Sequence, residues 1–265
     1  MALWIRFEAD GVAGFGQLDG ETITVYSGDM FGAPVPTGRT LAINSVRITL
    51  PCNPSKFIGL WNNYRAQAAK QGLDIPAEPL YFLKAPSSFC AHEQPFNSPA
   101  SYDGRVVYEG ELGLVIGKQC KDLSVEDAAS AIFGVTCVND VTALDLLARD
   151  ASFAQWTRAK SFDTFGIFGP AIATGLDWKQ LAVRTLVNGR ERQNYLCSDM
   201  IFSPAQIVYC LSQEMTLYPG DVIACGTSLG VLPIKPGTIV EVSIAGVGVL
   251  RNTFAPDSTK TEVAR

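Results

Sequence analysis

The chain has 265 residues, of which 47% are hydrophobic and 18% charged, and its formal net charge is −5. This composition excludes a disordered chain, and the length is sufficient for a large hydrophobic core. The acidic balance argues against a nucleic-acid partner, because phosphate contacts require a basic surface.

The apolar runs and the charged residues near the N-terminus indicate the cellular location of the protein. The longest apolar runs, at 112–116 and 244–250, are much shorter than the ~20 residues of a membrane-spanning helix. Arg6, Glu8 and Asp10 interrupt the segment in which a secretion signal needs an unbroken apolar core. We therefore predict a cytoplasmic protein without a membrane partner.

Cysteine and histidine usage limits the kind of metal site. Seven cysteines form an odd number without a CxxC pair, which argues against disulfides and against structural zinc. The single histidine, His92, excludes sites that need two imidazoles. Any bound metal must therefore be held mainly by oxygen.

The first 50 residues are predicted to form a small β domain. Short β-prone segments separated by turn residues lie at 3–8, 15–18, 22–26 and 46–50. Pro51, Asn53 and Pro54 interrupt this pattern, and a new apolar strand begins near residue 56. We therefore expect a domain at 1–50 and a larger domain at 51–254.

The larger domain begins with a helix and two strands. Residues 63–71 are good helix formers that end at Gly72, and with the following loop they are expected to form a lid. A strand follows at 80–84. Residues 106–118 carry the strongest strand pattern in the chain.

The remaining elements are marked by caps and turns. Helices are predicted at 124–133, from Asp140 to about residue 154, and at 204–215, with a hairpin at Asn188-Gly189 and a disordered tail at 255–265.

Two glutamates in the strand 106–118 are separated by one residue, so Glu109 and Glu111 leave the same face. Adjacent carboxylates in an apolar strand are costly without a cation. Asp140, at the end of the apolar strand 135–138, is the natural third ligand. Such oxygen ligands suit magnesium, manganese or calcium. The alternative is that the pair is the solvated face of an edge strand.

Five blocks in fixed order accompany these carboxylates: YEGELGLVIGK from Tyr108, CVNDVTALD from Cys137, KSFDTFGIFGP from Lys160, LVNGRERQ from Leu186 and TLYPGDVIACGTSLGV from Thr216. Together they resemble the fumarylacetoacetate hydrolase family over residues 56–254. The resemblance implies a mixed, curved, β-rich α+β fold with flanking helices. It also implies Mg²⁺ or Mn²⁺, with Ca²⁺ as a substitute in crystals, and a homodimer.

The resemblance implies that several site residues of the family have matching residues in this chain. Its metal ligands match Glu109, Glu111 and Asp140. Its lysine matches Lys160, whose charge would offset the carboxylates and steady a developing enolate. Its threonine, which contacts substrate, matches Thr227, and its Asn-Tyr pair at the lid entrance matches Asn63 and Tyr64. For the dimer interface we expect an apolar loop with Phe162, Phe165, Ile167 and Phe168.

The chain departs from the family at two places. The histidine and glutamate that activate water in the lid are replaced by Gln67 and Lys70, neither of which is a base at neutral pH. His92 is a possible replacement base, or simply a surface residue.

The arginine and glutamine that grip a substrate carboxylate are replaced by Leu144 and Leu147. Either the substrate is apolar at that end, or Arg149 or Arg158 reaches into the site.

Two functions are consistent with these residues. The first is a metal-dependent enzyme that cleaves, decarboxylates or isomerises a small 2-oxo acid or 1,3-diketone through an enolate, in aromatic-compound catabolism. The missing lid base favours decarboxylation or tautomerisation. The second is a relative that binds metal and ligand with little or no catalytic activity.

Overall fold

The computed structural model describes residues 1–256, which form the sheet-rich α+β fold that the sequence predicts, with short flanking helices. Residues 257–265 lie outside the described residues, and with them most of the tail predicted to be disordered. Ala255 belongs to the last strand, so the predicted tail starts too early. In the described part of the chain, no helix is long and apolar enough to cross a membrane.

The N-terminal part contains the strands β1 (Leu3–Ala9), β2 (Val12–Asp19), β3 (Thr22–Ser27), β4 (Val35–Ala42) and β5 (Arg47–Ile48). The following strands are β6 (Phe57–Trp61), β7 (Leu80–Lys84), β8 (Phe89–Cys90), β9 (Phe96–Asn97), β10 (Val106–Val107), β11 (Gly110–Ile116), β12 (Ile132–Asp140), β13 (Thr142–Ala143) and β14 (Gly166–Ala173). The last strands are β15 (Ala182–Val187), β16 (Arg190–Leu196), β17 (Val222–Ala224), β18 (Pro233–Ile234), β19 (Ile239–Ile244) and β20 (Gly248–Ala255). The helices are α1 (Arg65–Gln71), α2 (Val125–Ala128), α3 (Trp156–Lys160) and α4 (Pro204–Glu214).

Within residues 1–256 the strands form three sheets. The largest has the order β4-β3-β2-β1-β14-β12-β11-β17-β6-β7, with β5 beside β1 and β8 beside β14. The others have the orders β13-β10-β18 and β16-β15-β19-β20-β9. Strand β1 pairs with β14 through Leu3 with Ala173 and Trp4 with Ile172, so the N-terminal strands extend the large sheet. The division into domains 1–50 and 51–254 stays a prediction.

Strand β11 lies at the centre of the large sheet and buries both of its faces. Leu112 and Leu114 contribute to one hydrophobic cluster, whereas Val115 contributes to another on the opposite face. Full burial of each such side chain contributes ~1.5 to 3 kcal/mol. Glu111, within β11, and Glu109, just before it, are thus attached to a strand that is buried on both faces.

Several local predictions are confirmed. Helix α1 ends at Gly72, which adopts the left-handed conformation with φ of 65°. Helix α4 follows a capping box in which Ser203 and Gln206 exchange hydrogen bonds. Asn188 and Gly189, with φ of 47° and 74°, form the turn between β15 and β16, as a tight hairpin turn requires.

The single strand predicted at 106–118 is wrong, because two separate strands form there. Strand β10 ends at Val107 and β11 begins at Gly110, so Tyr108 and Glu109 lie between them. The chain breaks here because β10 pairs with β13 and β18, whereas β11 pairs with β12 and β17. Glu109 therefore lies at the junction of two sheets rather than inside a strand.

The helix predicted at 124–133 is shorter in the structure. Instead of a helix over 124–133, α2 covers Val125–Ala128 and a 3-10 turn covers Ala129–Ala131. The strand-forming pair Ile132 and Phe133 then begins β12.

The helix predicted after Asp140 does not form in the described chain. Strand β13, a 3-10 turn at Leu144–Leu146 and irregular turns occupy this stretch, and helix begins only at Trp156. Val106 and Val107 of β10 pair with β13, so the segment just after Asp140 forms a strand of a sheet instead of a helix.

The apolar loop expected at a dimer interface is instead part of the core of a single chain. Phe165, Ile167 and Phe168 are fully buried, and Phe162 packs against the cluster that contains Phe165 and Ile167. These side chains therefore give no support to the predicted homodimer.

Candidate active site

Three carboxylates meet where the small sheet adjoins the large one. One oxygen of each of Glu109, Glu111 and Asp140 lies within 4.8 Å of the others. Glu109 precedes β11, Glu111 belongs to it, and Asp140 ends the neighbouring strand β12. The backbone N–H of Asp140 donates to the Glu109 carbonyl at 2.9 Å, which fixes the two residues side by side.

Glu111 gives the clearest sign that this cluster suits a cation. Its Oε2 accepts a hydrogen bond from the Gly226 backbone N–H at 2.7 Å. Its Oε1 is buried without a hydrogen-bond partner among the residues that the structure describes. Burial, and then the charges of Asp140 and Glu109, raise the pKa of Glu111 well above its usual value. A divalent cation held by oxygen ligands fits this unsatisfied atom.

Asp140 is held between two lysines. Its Oδ1 accepts from the Lys84 Nζ, and its Oδ2 accepts from the Lys160 Nζ at 2.5 Å. Burial alone would raise the pKa of Asp140, but the two ammonium groups outweigh it and lower that pKa below its ordinary value. Asp140 is therefore held ionised, as a metal ligand must be.

Lys160 bridges two members of the cluster. Its Nζ also donates to Glu109 Oε2 at 2.6 Å, while the Thr142 hydroxyl donates to Glu109 Oε1 at 3.1 Å. Burial disfavours the ammonium form, but the charges of Asp140 and Glu109 outweigh burial and raise the pKa of Lys160. Lys160 thus keeps its proton next to the carboxylates.

Lys84 is a member of the site that the sequence analysis missed. It ends β7, is fully buried, and also donates to the Val141 carbonyl at 3.2 Å. Desolvation by burial lowers its pKa, although Asp140 opposes this shift. The available signal was a lysine at the end of an apolar strand, because such a residue needs an acidic partner when it is buried.

With Lys84 included, the charges of the site change. Three carboxylates face two lysines, so the cluster carries one net negative charge when all five groups are ionised. A divalent cation would add two positive charges and give the cluster a net charge of plus one. The site would then attract an anionic substrate.

A cavity of about 270 Å³ opens onto the cluster. Glu109, Lys160 and Thr227 line its polar side. Most of the remaining wall is apolar or aromatic and comes from Leu60, Trp61, Phe82, Leu144, Leu147, Trp156 and Val231. The position of Leu144 and Leu147 on the wall agrees with their alignment to the family's carboxylate-binding pair.

Thr227 lies on the cavity wall, but its hydroxyl is committed to the protein. It donates to the Gly110 carbonyl at 2.9 Å and accepts from Gln193 Nε2 at 2.8 Å. Gln193, which is buried in β16, also accepts from the Gly110 backbone N–H at 3.0 Å. Gln193 therefore ties β11 to the turn that carries Thr227, a role that was not predicted from the sequence.

Asn63 and Tyr64 do not line the cavity. Asn63 is buried, donates to the Cys225 carbonyl at 2.8 Å, and accepts from the Phe202 backbone N–H at 2.9 Å. Tyr64 is buried against Tyr195, with ring centroids 4.8 Å apart. Direct substrate contact by these two residues stays a prediction. Asn63 supports the turn after Cys225.

The cationic replacements considered for the missing arginine do not reach the cavity. Arg149 and Arg158 are exposed, and neither lines it. Among the residues that line the cavity, Lys160 supplies the positive charge.

The lid helix α1 presents amides to the cavity. Gln67 and Gln71 line it, whereas Lys70 is exposed. His92 does not line the cavity, and its Nδ1 accepts from the Arg251 backbone N–H at 3.1 Å. The lining residues therefore do not include the replacement base considered at His92.

Two family models match the chain. The fumarylacetoacetate (FAA) hydrolase C-terminal model matches residues 56–255, and the Rv2993c-like N-terminal model matches residues 3–51. The chain belongs to the fumarylacetoacetate hydrolase family, as its sequence blocks predict.

Solved structures and a characterised relative agree with this membership. The chain is 36% identical to 2-hydroxyhepta-2,4-diene-1,7-dioate isomerase from Mycobacterium marinum, with a TM-score of 0.89 over 97% of this chain and all of that one. It is 37% identical over 225 residues to the oxaloacetate tautomerase YisK of Bacillus subtilis, covering 80% of this chain and 74% of that protein. It is 28% identical to fumarylpyruvate hydrolase from Pseudomonas aeruginosa in complex with Mn²⁺ and pyruvate, with a TM-score of 0.72 over 79% of this chain and 92% of that one.

Proposed function

We propose that this protein is a tautomerase or isomerase of small 2-oxo acids that requires Mg²⁺ or Mn²⁺. One observation supports this choice over hydrolysis. Lys160 and Glu109 are the ionisable side chains on the cavity wall, and the lid helix contributes Gln67 and Gln71 instead of a base that activates water. A proton shift within the substrate needs no activated water.

The metal ligands in this proposal are Glu109, Glu111 and Asp140. The bound cation would supply Lewis-acid polarisation of the substrate's oxygens. The related fumarylpyruvate hydrolase, described in complex with Mn²⁺ and pyruvate, supports both the cation and a 2-oxo acid as ligand. The unsatisfied Glu111 Oε1 is an independent reason to place a cation here.

In the proposed reaction the C3–H bond of the substrate breaks and its proton passes to solvent water in the open cavity, while water returns a proton to the 2-oxo oxygen as the enol forms. No atom is lost or oxidised overall. The Lys160 ammonium faces the cavity and stabilises negative charge that develops on this oxygen. Thr227 positions the substrate through its backbone, because its hydroxyl is already hydrogen-bonded within the protein. Lys84 keeps Asp140 ionised without touching the substrate.

Proton NMR in D₂O with Mg²⁺ tests the reaction. Purified protein should accelerate deuterium exchange at C3 of oxaloacetate and pyruvate beyond the rate with metal alone. Lys160→Met should slow the exchange by about a hundredfold, as loss of an electrostatic stabiliser does. Lys160→Arg retains the charge and checks whether the effect is due to misfolding.

The products distinguish the proposal from its competitors. Faster formation of cleavage or decarboxylation products than of exchanged substrate would contradict a tautomerase. Tight binding of 2-oxo acids without exchange or cleavage would favour a metal- and ligand-binding relative without catalytic activity. A homodimer, a cytoplasmic location and a role in aromatic-compound catabolism remain predictions.

A further inference from the structure

An aromatic wall begins next to the proposed reaction centre. The Lys160 Nζ lies 4.8 Å from the centroid of the Phe82 ring. Phe82 stacks on Trp156 with centroids 5.4 Å apart and an interplanar angle of 13°, and Trp156 contacts Trp61 at 5.6 Å. The three rings form a continuous surface that leads away from Lys160.

The same three rings also border a second cleft. Trp61, Phe82 and Trp156 line both the cavity over the acidic cluster and an adjoining cleft of about 390 Å³. Trp61 is 38% exposed, although large aromatic side chains are usually buried. A partly exposed tryptophan at the mouth of a cavity is available to a ligand.

The residues around the rings disfavour the binding of a second carboxylate on the substrate. Leu144 and Leu147 line the cavity, and the adjoining cleft is lined by Glu78 and Glu214. Glu214 accepts a hydrogen bond from the Tyr81 hydroxyl, which fixes it at the cleft. Lys160 is the cation among the residues that line the two spaces, and it is already paired with Glu109 and Asp140. A carboxylate at the distal end of a substrate would therefore meet leucines and like charges without a free cationic partner.

We infer that the substrate is a 3-arylpyruvate, in which a neutral aromatic ring on C3 packs against Trp61, Phe82 and Trp156 while the 2-oxo acid group lies at the acidic cluster. This inference rests on the proposed function and names its substrate class. The 4.8 Å between the Lys160 Nζ and the Phe82 ring centroid brings the aromatic wall next to the lysine that would face the substrate's 2-oxo oxygen. An aryl group on C3 spans that distance.

The chemistry agrees with this assignment. Loss of a proton from C3 to water and return of a proton from water to the 2-oxo oxygen convert the keto form of an arylpyruvate to its enol. The reverse transfers restore the keto form, so the step needs no co-reactant other than water. The ring is flat and neutral, and stacking on an aromatic wall fixes its orientation.

Four 2-oxo acids separate the possible distal groups. Phenylpyruvate carries an aryl group, 4-methyl-2-oxopentanoate an alkyl group, oxaloacetate a carboxylate, and pyruvate none. Deuterium exchange at C3 with Mg²⁺ should give the highest kcat/KM for phenylpyruvate, at least about tenfold above oxaloacetate. Equal values for phenylpyruvate and 4-methyl-2-oxopentanoate, or a higher value for oxaloacetate, would overturn the inference.

Two variants on separate elements test the wall itself. Trp156→Ala and Trp61→Ala should each lower the phenylpyruvate-to-pyruvate ratio of kcat/KM by about tenfold, whereas Trp156→Phe, which keeps a ring, should retain most of it. Phe153→Ala is the matched control, because Phe153 is 69% exposed and lines neither space. An unchanged ratio in both tryptophan variants would contradict the aromatic site.

A binding measurement keeps this inference separate from the proposed function. Phenylpyruvate should quench tryptophan fluorescence and bind more weakly to Trp156→Ala, whether or not exchange is catalysed. Absence of exchange for all four acids, with this binding difference retained, would reject the tautomerase and keep the aryl site. Exchange of pyruvate without any preference for phenylpyruvate would reject the aryl site alone.

Discussion

Lys84 and Asp140 form an ion pair in which both side chains are completely shielded from solvent. Asp140 is also bonded to Lys160, so one carboxylate joins a lysine that faces the cavity to one that does not. Lys160 therefore connects the carboxylates to the cavity, whereas Lys84 supplies a second countercharge away from it. The site therefore needs less compensation from its cation than the carboxylates alone would require.

The first prediction concerns this pair. Lys84→Met should destabilise the protein by ~3 to 5 kcal/mol, because removing one partner leaves a buried charge uncompensated. Urea unfolding followed by circular dichroism measures the loss. Arg47→Met is the control, since the Arg47–Glu8 pair is exposed and such pairs contribute ~0 to 1 kcal/mol. Equal losses in the two variants would contradict the structural role of Lys84.

Lys84 is the part of the site that could not be predicted from the sequence. Sequence spacing places Glu109 and Glu111 together because they are separated by one residue, and family blocks add Asp140 and Lys160. Lys84 lies 56 positions from Asp140, and no local pattern connects them. The two meet because β7 and β12 belong to the same large sheet, which is a property of the whole fold.

The errors in secondary structure have a similar origin. Apolar residues from Val106 to Ile116 are consistent with one long strand, yet the partners of β10 and β11 belong to different sheets. The segment after Asp140 has helix-forming leucines, but pairing of Val106 and Val107 with β13 overrides that preference. The caps of α1 and α4 were predictable because they depend only on neighbouring residues.

The second prediction is that Mg²⁺ or Mn²⁺ stabilises the fold. Binding to the native state alone adds ~2.7 kcal/mol when the metal is at a hundredfold excess over its Kd. Melting curves with and without metal, after treatment with a chelator, measure this gain. Glu111→Gln should abolish it, whereas Glu126→Gln on the exposed helix α2 should not. An unchanged midpoint for the parent protein at millimolar metal would reject the three-carboxylate site.

The third prediction is a pH dependence that originates at His92. Burial lowers its pKa below the ordinary value of 6.5, and its Nδ1 must be unprotonated to accept from the Arg251 backbone N–H. Because the folded pKa is lowered, this contribution is fully present above pH 6.5 and is lost as the pH falls through the folded pKa.

The His92→Asn variant isolates that contribution, because asparagine accepts the same hydrogen bond without titrating. Urea unfolding between about pH 7.5 and about pH 5.5 should show a smaller loss of stability for the variant than for the parent. Parallel losses in the two proteins would show that other groups account for the acid sensitivity.

The fourth prediction is a homodimer in solution. It rests on the family resemblance and on exposed apolar residues on the edge strand β7, including Leu80 and Leu83. Light scattering at micromolar concentration should give about twice the chain mass of 28.5 kDa. Leu83→Lys should shift the mass toward the monomer if β7 forms the interface. A parent protein of 28.5 kDa would remove the prediction.

The fifth prediction concerns the leucines on the cavity wall. Leu144→Arg with Leu147→Gln should raise kcat/KM for oxaloacetate roughly ten- to a hundredfold, because a hydrogen bond to a charged group contributes ~1.5 to 3 kcal/mol. Leu196→Arg, which adds the same charge at a site that is 57% exposed, is the control. Circular dichroism must first show that the double variant is folded, since an unpaired arginine in an apolar wall is destabilising. The gain should be confined to acids with a second carboxylate, because only these supply a partner for the new guanidinium. A parent protein that already prefers oxaloacetate to bulkier 2-oxo acids would show that another residue binds the distal carboxylate.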